Sequence, residues 1–149
     1  MIKLAKVLMR LMQSIILNEY IISLFIFMYV RAVKPQITKG WTKYFSKILV
    51  NMHPTSRVLG EITVTNPKLL SIERYVRIGK GCFLFSDGGI EIQEGSILSR
   101  NITIYSGNHN VNGLEVPYDD SYIYKPVKIG RGVWIGMNVC ITPGVTIGD

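Results

Sequence analysis

The chain has 149 residues, about one domain's length, and 48% of them are hydrophobic, enough to build a core. Its net charge of +7 resides wholly in residues 1–50, where eight basic groups stand against one acid, Glu19; residues 51–149 hold nine of each sign, so the partner for the basicity is to be sought at the N-terminus. Two cysteines, Cys82 and Cys140, make no disulfide framework; with two histidines and no Cys-x-x-Cys, no metal site is expected, and a reducing, cytoplasmic setting is the default.

The opening stretch "MIKLAKVLMRLMQSIIL" places Lys3, Lys6, Arg10 and Gln13 at steps of three, four and three, one narrow polar stripe on an otherwise apolar helix. Asn18 and Glu19 separate it from "YIISLFIFMYV", an apolar run of 11 that is too short to cross a bilayer, which needs about 20 residues. No small-residue cleavage site follows the run, which argues against a secretory signal. In "GWTKYFSKILVNM", Trp41, Tyr44, Phe45, Ile48 and Leu49 share one helical face, and Lys39, Lys43 and Lys47 fall on another. Two readings stay open for residues 1–53: helices packed against the rest of the protein or its oligomer partners, or an interfacial anchor with lysines on anionic headgroups; a true membrane span is a third. Nucleic acid is not expected as a partner, because the basic residues alternate with aliphatics and not with aromatic platforms.

From Val58 the chain repeats every six residues. Aliphatic side chains stand at positions 58 and 64; 72, 78 and 84; 92, 98 and 104; 129, 135, 141 and 147. The residue four beyond each is mostly apolar or small, so both point inward from a short strand. The residue three beyond is Tyr75, Gly81, Gly95, Asn101, Gly132, Asn138 or Gly144 in the seven regular hexads; Gly and Asn best tolerate a left-handed backbone. Short flat strands joined by tight turns at this period predict an all-β solenoid, three hexads to a coil, as a triangular prism of parallel strands. Each interruption follows a third hexad, so Asn66-Pro67, Asp87-Gly88-Gly89 and the long insertion over 105–128 are expected to stack along one edge. A long insertion in a rigid solenoid is where function usually sits.

The stretch "VKIGRGVWIGMNVCITPGVTIGD" resembles the hexapeptide-repeat acyltransferases, in particular the sugar, polysaccharide and antibiotic O-acetyltransferases that use acetyl-CoA. The resemblance covers roughly residues 58–149. It implies a left-handed parallel β-helix over residues 54–149, following a helical N-terminal segment, residues 1–53. It implies that His109, in the insertion, is the general base. It implies that Trp134 of "VWIG", with Gly136 and Met137, lines the acetyl-CoA groove, and that the assembly is a homotrimer with each site between two subunits. The acceptor set is read as Phe85, Tyr105 and Asn108; Phe85 stands near where some small-sugar relatives carry an acceptor-binding Asn, so the acceptor is expected to differ from theirs.

The chemistry agrees. A sugar hydroxyl is a weak nucleophile at neutral pH, and a histidine can take its proton as it attacks a thioester carbonyl, a contribution of about 10²–10⁴-fold. No covalent intermediate is required. Cys82 reads as core and Cys140 as outward-facing with no histidine near it in sequence. Asp119, Asp120, Tyr118, Tyr122 and Tyr124 are expected to shape the insertion or contact a neighbouring subunit more than to bind acceptor, and His53 reads as structural. The chain stops at "TIGD", where Ile147 opens a hexad that does not close, and the resemblance implies at least one further coil; a truncated chain is the expectation. The leading functional expectation is O-acetylation of a surface glycan or its lipid-linked precursor, because such substrates are built at the cytoplasmic membrane face, where a basic amphipathic N-terminus would make peripheral contact. A small soluble acceptor, a free sugar or an antibiotic, is the alternative, and an inactive β-helix scaffold is a third reading.

Overall fold

The computed structural model describes residues 2–16, 18–115 and 119–149; Tyr118 and the Lys3 side chain lie outside what it describes. Two compact units divide the chain, Met1–Ile37 and Thr38–Asp149.

The first unit holds helices α1 (Ile2–Ile16) and α2 (Glu19–Met28). Asn18 starts α2: its backbone is extended, and its side-chain oxygen accepts from the amides of Tyr20 at 3.0 Å and Ile21 at 3.4 Å, satisfying two of the donors a helix start leaves open. Glu19 in the first turn complements the positive end of the helix. After Met28 the backbone widens into a π-helical turn, Tyr29–Val33, in which the Lys34 amide bonds back to Tyr29. The cause is the next residue. Pro35 has no amide proton and its ring would collide with the carbonyl four residues back, and the wider turn makes room for it. Helix α3 (Lys34–Ile48) follows without a break. The 11-residue apolar run is therefore not an isolated segment too short to span, as its length in sequence suggested. It opens a continuous 30-residue helix, Glu19–Ile48, long and apolar enough by length and composition to cross a membrane. No residue of α2 or the π turn is buried.

From Thr38 onward α3 belongs to the second unit. The reason is the face carrying Phe45 and Leu49, which are buried in the core, with Trp41 packed against it. The Thr42 hydroxyl donates to the Val58 carbonyl at 3.0 Å and accepts from the Val58 amide at 3.2 Å, tying the helix to the first coil. This half of the second predicted helix is thus a packing element, and its Lys43 and Lys47 are exposed.

The coil begins at β1 (Asn51–Met52), continues through β2 (Arg57–Val58) and β3 (Thr63–Val64), and comes round to β4 (Leu70–Ile72), β5 (Arg77–Ile78) and β6 (Phe83–Phe85). A third turn is β7 (Ile90–Ile92), β8 (Ile97–Leu98) and β9 (Thr103–Tyr105). A hairpin, β10 (Gly107–His109) and β11 (Tyr122–Tyr124), precedes β12 (Val127–Ile129), β13 (Trp134–Ile135), β14 (Cys140–Ile141) and β15 (Thr146–Ile147). Pairing sorts these strands into three parallel sheets. The first is β1-β4-β7-β12-β15, the second β2-β5-β8-β13 and the third β3-β6-β9-β14, so successive strands visit the three faces in turn. Register stacks like on like: Ile72, Ile92, Ile129 and Ile147 form one inward column, and Val64, Leu84, Ile104 and Ile141 another. Burying each such side chain is worth roughly 1.5–3 kcal/mol, which is how strands of two or three residues persist.

All seven turn positions adopt positive φ: Tyr75 (61°), Gly81, Gly95, Asn101 (55°), Gly132, Asn138 (59°) and Gly144. Tyr75, the one that breaks the Gly/Asn pattern, obeys the same geometry, and its amide donates to Thr55 Oγ1 at 3.0 Å. A left-handed conformation costs an ordinary side chain about 1–2 kcal/mol, less for Asn. Tyr75→Asn is therefore expected to raise the unfolding free energy, and Asn138→Val to lower it, each by about 1 kcal/mol in chemical denaturation.

Candidate active site

All three interruptions of the hexad fall between the third sheet and the first, at one edge. Buried serines hold that edge together. Ser86 Oγ donates to the Asn66 carbonyl at 2.8 Å and accepts from its amide at 3.1 Å. Ser106 Oγ donates to the Phe85 carbonyl at 2.6 Å and accepts from the Gly88 amide at 2.9 Å. A Cβ on Gly88 would lie 1.9 Å from the Ser106 carbonyl oxygen, so only glycine fits. The insertion leaves the coil from Ser106 and returns where the Lys125 amide bonds the Ser106 carbonyl at 2.8 Å and the Val127 amide bonds Gly89 at 3.0 Å. Both stems are thereby fixed to rigid backbone.

Between the stems, β10 and β11 pair antiparallel with Gly107 opposite Tyr124, Asn108 opposite Ile123 and His109 opposite Tyr122. Directly opposed residues share a face. Accordingly the Tyr122 hydroxyl lies 3.2 Å from His109 Nε2, with the ring centroids 4.4 Å apart. The row of rings continues from Tyr122 to Tyr124 at 5.9 Å, to Phe85 at 6.4 Å, and from Phe85 to Tyr105 at 5.7 Å and on to Phe83. Gly107 lets the hairpin lie on this row, because a Cβ there would meet the Tyr124 ring at 2.6 Å and Phe85 at 3.1 Å. His109, half-buried, thus stands at the end of an aromatic platform built half from the outer face of the third sheet and half from the hairpin.

The structure brings Phe85 and Tyr105 into one cluster with His109. Asn108 alternates to the other face of its strand, exposed, with its side-chain oxygen accepting from the His109 amide at 2.9 Å. Trp134, Gly136 and Met137 lie elsewhere on the chain, on the second sheet and the edge that follows it. Trp134 is 78% exposed with Nε1 donating to Ser99 Oγ at 3.1 Å, Met137 is 65% exposed, and no atom lies within 4 Å of where a Cβ on Gly136 would be. Cys82 is buried, which pushes its thiol up and keeps it protonated, while Cys140 is exposed. Asp119 shapes the insertion: its carboxylate accepts from the Ser121 amide at 2.9 Å, the Ser121 hydroxyl and the Leu114 amide at 3.3 Å. Tyr122 and Tyr124 belong to the platform, and His53 Nδ1 accepts from the Thr55 amide in a local turn. Among the described residues no group of three or more His, Cys, Asp and Glu side chains is arranged to hold a metal ion.

Two features escaped the sequence reading. The edge serines carry a signal in retrospect, since Ser86 and Ser106 keep the spacing of Leu84 and Ile104. The pairing of Tyr122 with His109 has none, because it depends on hairpin register.

No protein-family model matches the chain. It is 24% identical over 119 residues to a putative colanic acid biosynthesis acetyltransferase of Escherichia coli, covering 79% of this chain and 63% of that one. It is 30% identical over 92 residues to a galactoside O-acetyltransferase of the same organism, covering 58% and 45%. The chain thus spans less than two thirds of the length of these curated relatives. The crystal structure of a maltose O-acetyltransferase from Clostridium difficile 630 superposes with a TM-score of 0.55 at 22% identity, over 81% of this chain and 74% of that one, a likeness of fold. Its homologues are acetyltransferases of the hexapeptide-repeat acyltransferase family, which bears out the resemblance seen in the sequence.

The Asp119 carboxyl is held below the usual carboxylate range, first by the Ser121 hydroxyl and amide. A lowered folded value means the stabilisation is present above the ordinary aspartate pKa and lost as pH falls through the folded one. Amide exchange at Leu114 and Ser121 is therefore expected to gain protection as pH rises through the lowered Asp119 value, the gain being complete once the ordinary aspartate range is passed, after correction for the intrinsic rate, and Asp119→Asn to abolish that dependence.

Proposed function

We propose that this chain, a relative of the hexapeptide-repeat acetyltransferases, winds with their left hand and moves an acetyl group from acetyl-CoA to a sugar hydroxyl. The observation that carries the reading is His109, held by a clamped hairpin at the end of an aromatic platform, on the edge where all three interruptions of the hexad fall. The rings of Phe85, Tyr105 and Tyr122 offer flat apolar surface to the C–H face of a sugar ring and leave its hydroxyls toward the imidazole. His109 takes the proton of the attacking hydroxyl, the oxygen attacks the thioester carbonyl, and the C–S bond breaks to give an acetyl ester and CoA thiol. Backbone amides near the hairpin are the donors available to the oxyanion. Tyr122 is a positioning residue that sets the orientation of the imidazole through Nε2.

Trp134, Gly136 and Met137, on the second sheet and the edge after it, form an open, partly apolar surface that suits the thioester arm of the donor. A homotrimer would join the hairpin of one copy to this surface on its neighbour. For the acceptor we favour a glycan or its lipid-linked precursor, as the name of the colanic acid relative suggests. The galactoside and maltose relatives support a small soluble sugar as the second reading.

The test is CoA thiol release from acetyl-CoA by the purified chain, with a cell-envelope glycan extract or a free galactoside as acceptor. Release that depends on acceptor and falls about 10²–10⁴-fold in His109→Ala is the expected result. Absence of both release and acetyl-CoA binding would overturn the enzyme reading in favour of a scaffold. Tyr122→Phe is expected to lower kcat by about tenfold with KM for acetyl-CoA little changed, since one hydrogen bond to the base is lost.

A further inference from the structure

The first unit presents an unusual surface. Every described apolar side chain of α1 faces solvent, including Leu4, Leu8 and Met12, and Phe25 and Phe27 of α2 are 67% and 59% exposed. An uncovered surface this apolar calls for an occupant. The charge on α1 and just beyond α2 says which. Residues 1–37 carry Lys3, Lys6, Arg10, Arg31 and Lys34 against Glu19 alone. A second copy of such a surface would bring like charges together, whereas an anionic lipid surface accepts both the apolar faces and the basic groups.

We infer that α1 and α2 lie in the interfacial plane of an anionic membrane, apolar faces in the acyl boundary and basic side chains at the headgroups. The geometry favours lying over crossing. The uncharged run between Glu19 and Arg31 is 11 residues, about 16 Å of helix against a hydrocarbon core of about 30 Å. Extending it to spanning length would carry Arg31 and Lys34 into the core, each against an insertion penalty. Arg31 folds its guanidinium over the exposed Phe27 ring, 5.5 Å from the centroid, so an apolar ring and a cation share one exposed face of the helix. The break at Asn18 lets α1, with its Lys6 and Arg10 stripe, start a separate helix. The inference does not depend on the acetyltransferase reading.

The test is flotation of the full chain with vesicles of phosphatidylcholine alone or with about a third phosphatidylglycerol, at low and at about 1 M salt. Binding to the anionic vesicles at low salt is expected, at least tenfold stronger than to neutral ones, and weakened by salt. The double variant Lys6→Glu/Arg10→Glu should lower the partition coefficient by about 30-fold or more. Phe25→Asp should lower it as well. These positions are exposed, so unchanged circular dichroism, and unchanged CoA release from a soluble acceptor where that activity exists, separate lost lipid contact from lost folding. Three results would overturn the inference: no vesicle binding, equal binding to neutral vesicles, or a chain in cell membranes that resists alkaline extraction as a spanning helix does. Self-association without vesicle binding, abolished by Phe25→Asp, would count against it too and point to a second copy as the occupant.

Discussion

Along the strands of the second unit, amide after amide finds its carbonyl not nearby but one coil ahead. Arg57 finds Val76, Arg77 finds Ser96, Thr63 finds Cys82 and Phe83 finds Ile102. Among the described residues no strand is longer than three, and the strands of the three sheets hold only against the coil beside them. The constraint reaches the side chains as well. If the hydrogen bonds are to stay in register, each face must turn after the same number of residues, and each turn must take a left-handed step. That is why Tyr75 is bent into a conformation tyrosine disfavours: the coil tolerates a poor residue more readily than a missed turn.

The same rule explains the placement of the candidate site. A lengthened segment within a face would throw every later strand out of register. At an edge the extra residues can loop out and return, provided both stems bond to the coil where an unbroken chain would have bonded. Ser106, Lys125 and Val127 meet that condition. The imidazole of His109 therefore inherits its position from the coil, through two stems and a platform of rings, although it sits in the longest irregular segment of the chain.

What could be read from sequence follows from how local its cause is. The six-residue period and the Gly/Asn turns are local and redundant, so the parallel sheets, their inward columns and the shared edge were legible without coordinates. His109 was legible by place. The platform was not, because Phe85, Tyr105 and Tyr122 come from separate coils or strands and meet only once the register is fixed. Nor was the continuity of the helix through Arg31 and Pro35, where a proline reads as a stop and the π turn supplies the exception. Asn108 illustrates a simpler point about strand geometry. It neighbours His109 in sequence, and that adjacency in a strand is what turns it to the opposite face.

The clamped stems have a consequence for how such a chain changes over time. Lys125 is gripped from two sides, its amide on Ser106 and its carbonyl by the Gly144 amide at 3.2 Å, and none of these bonds involves residues 110–121. The coil is therefore indifferent to what the tip of the insertion contains or how long it is. New side chains can be tried there at little risk to folding, while the histidine beside the stem keeps its place. Coil and tip can change separately in this architecture, so two chains with the same three sheets and the same histidine can diverge at the tip long before they diverge in shape.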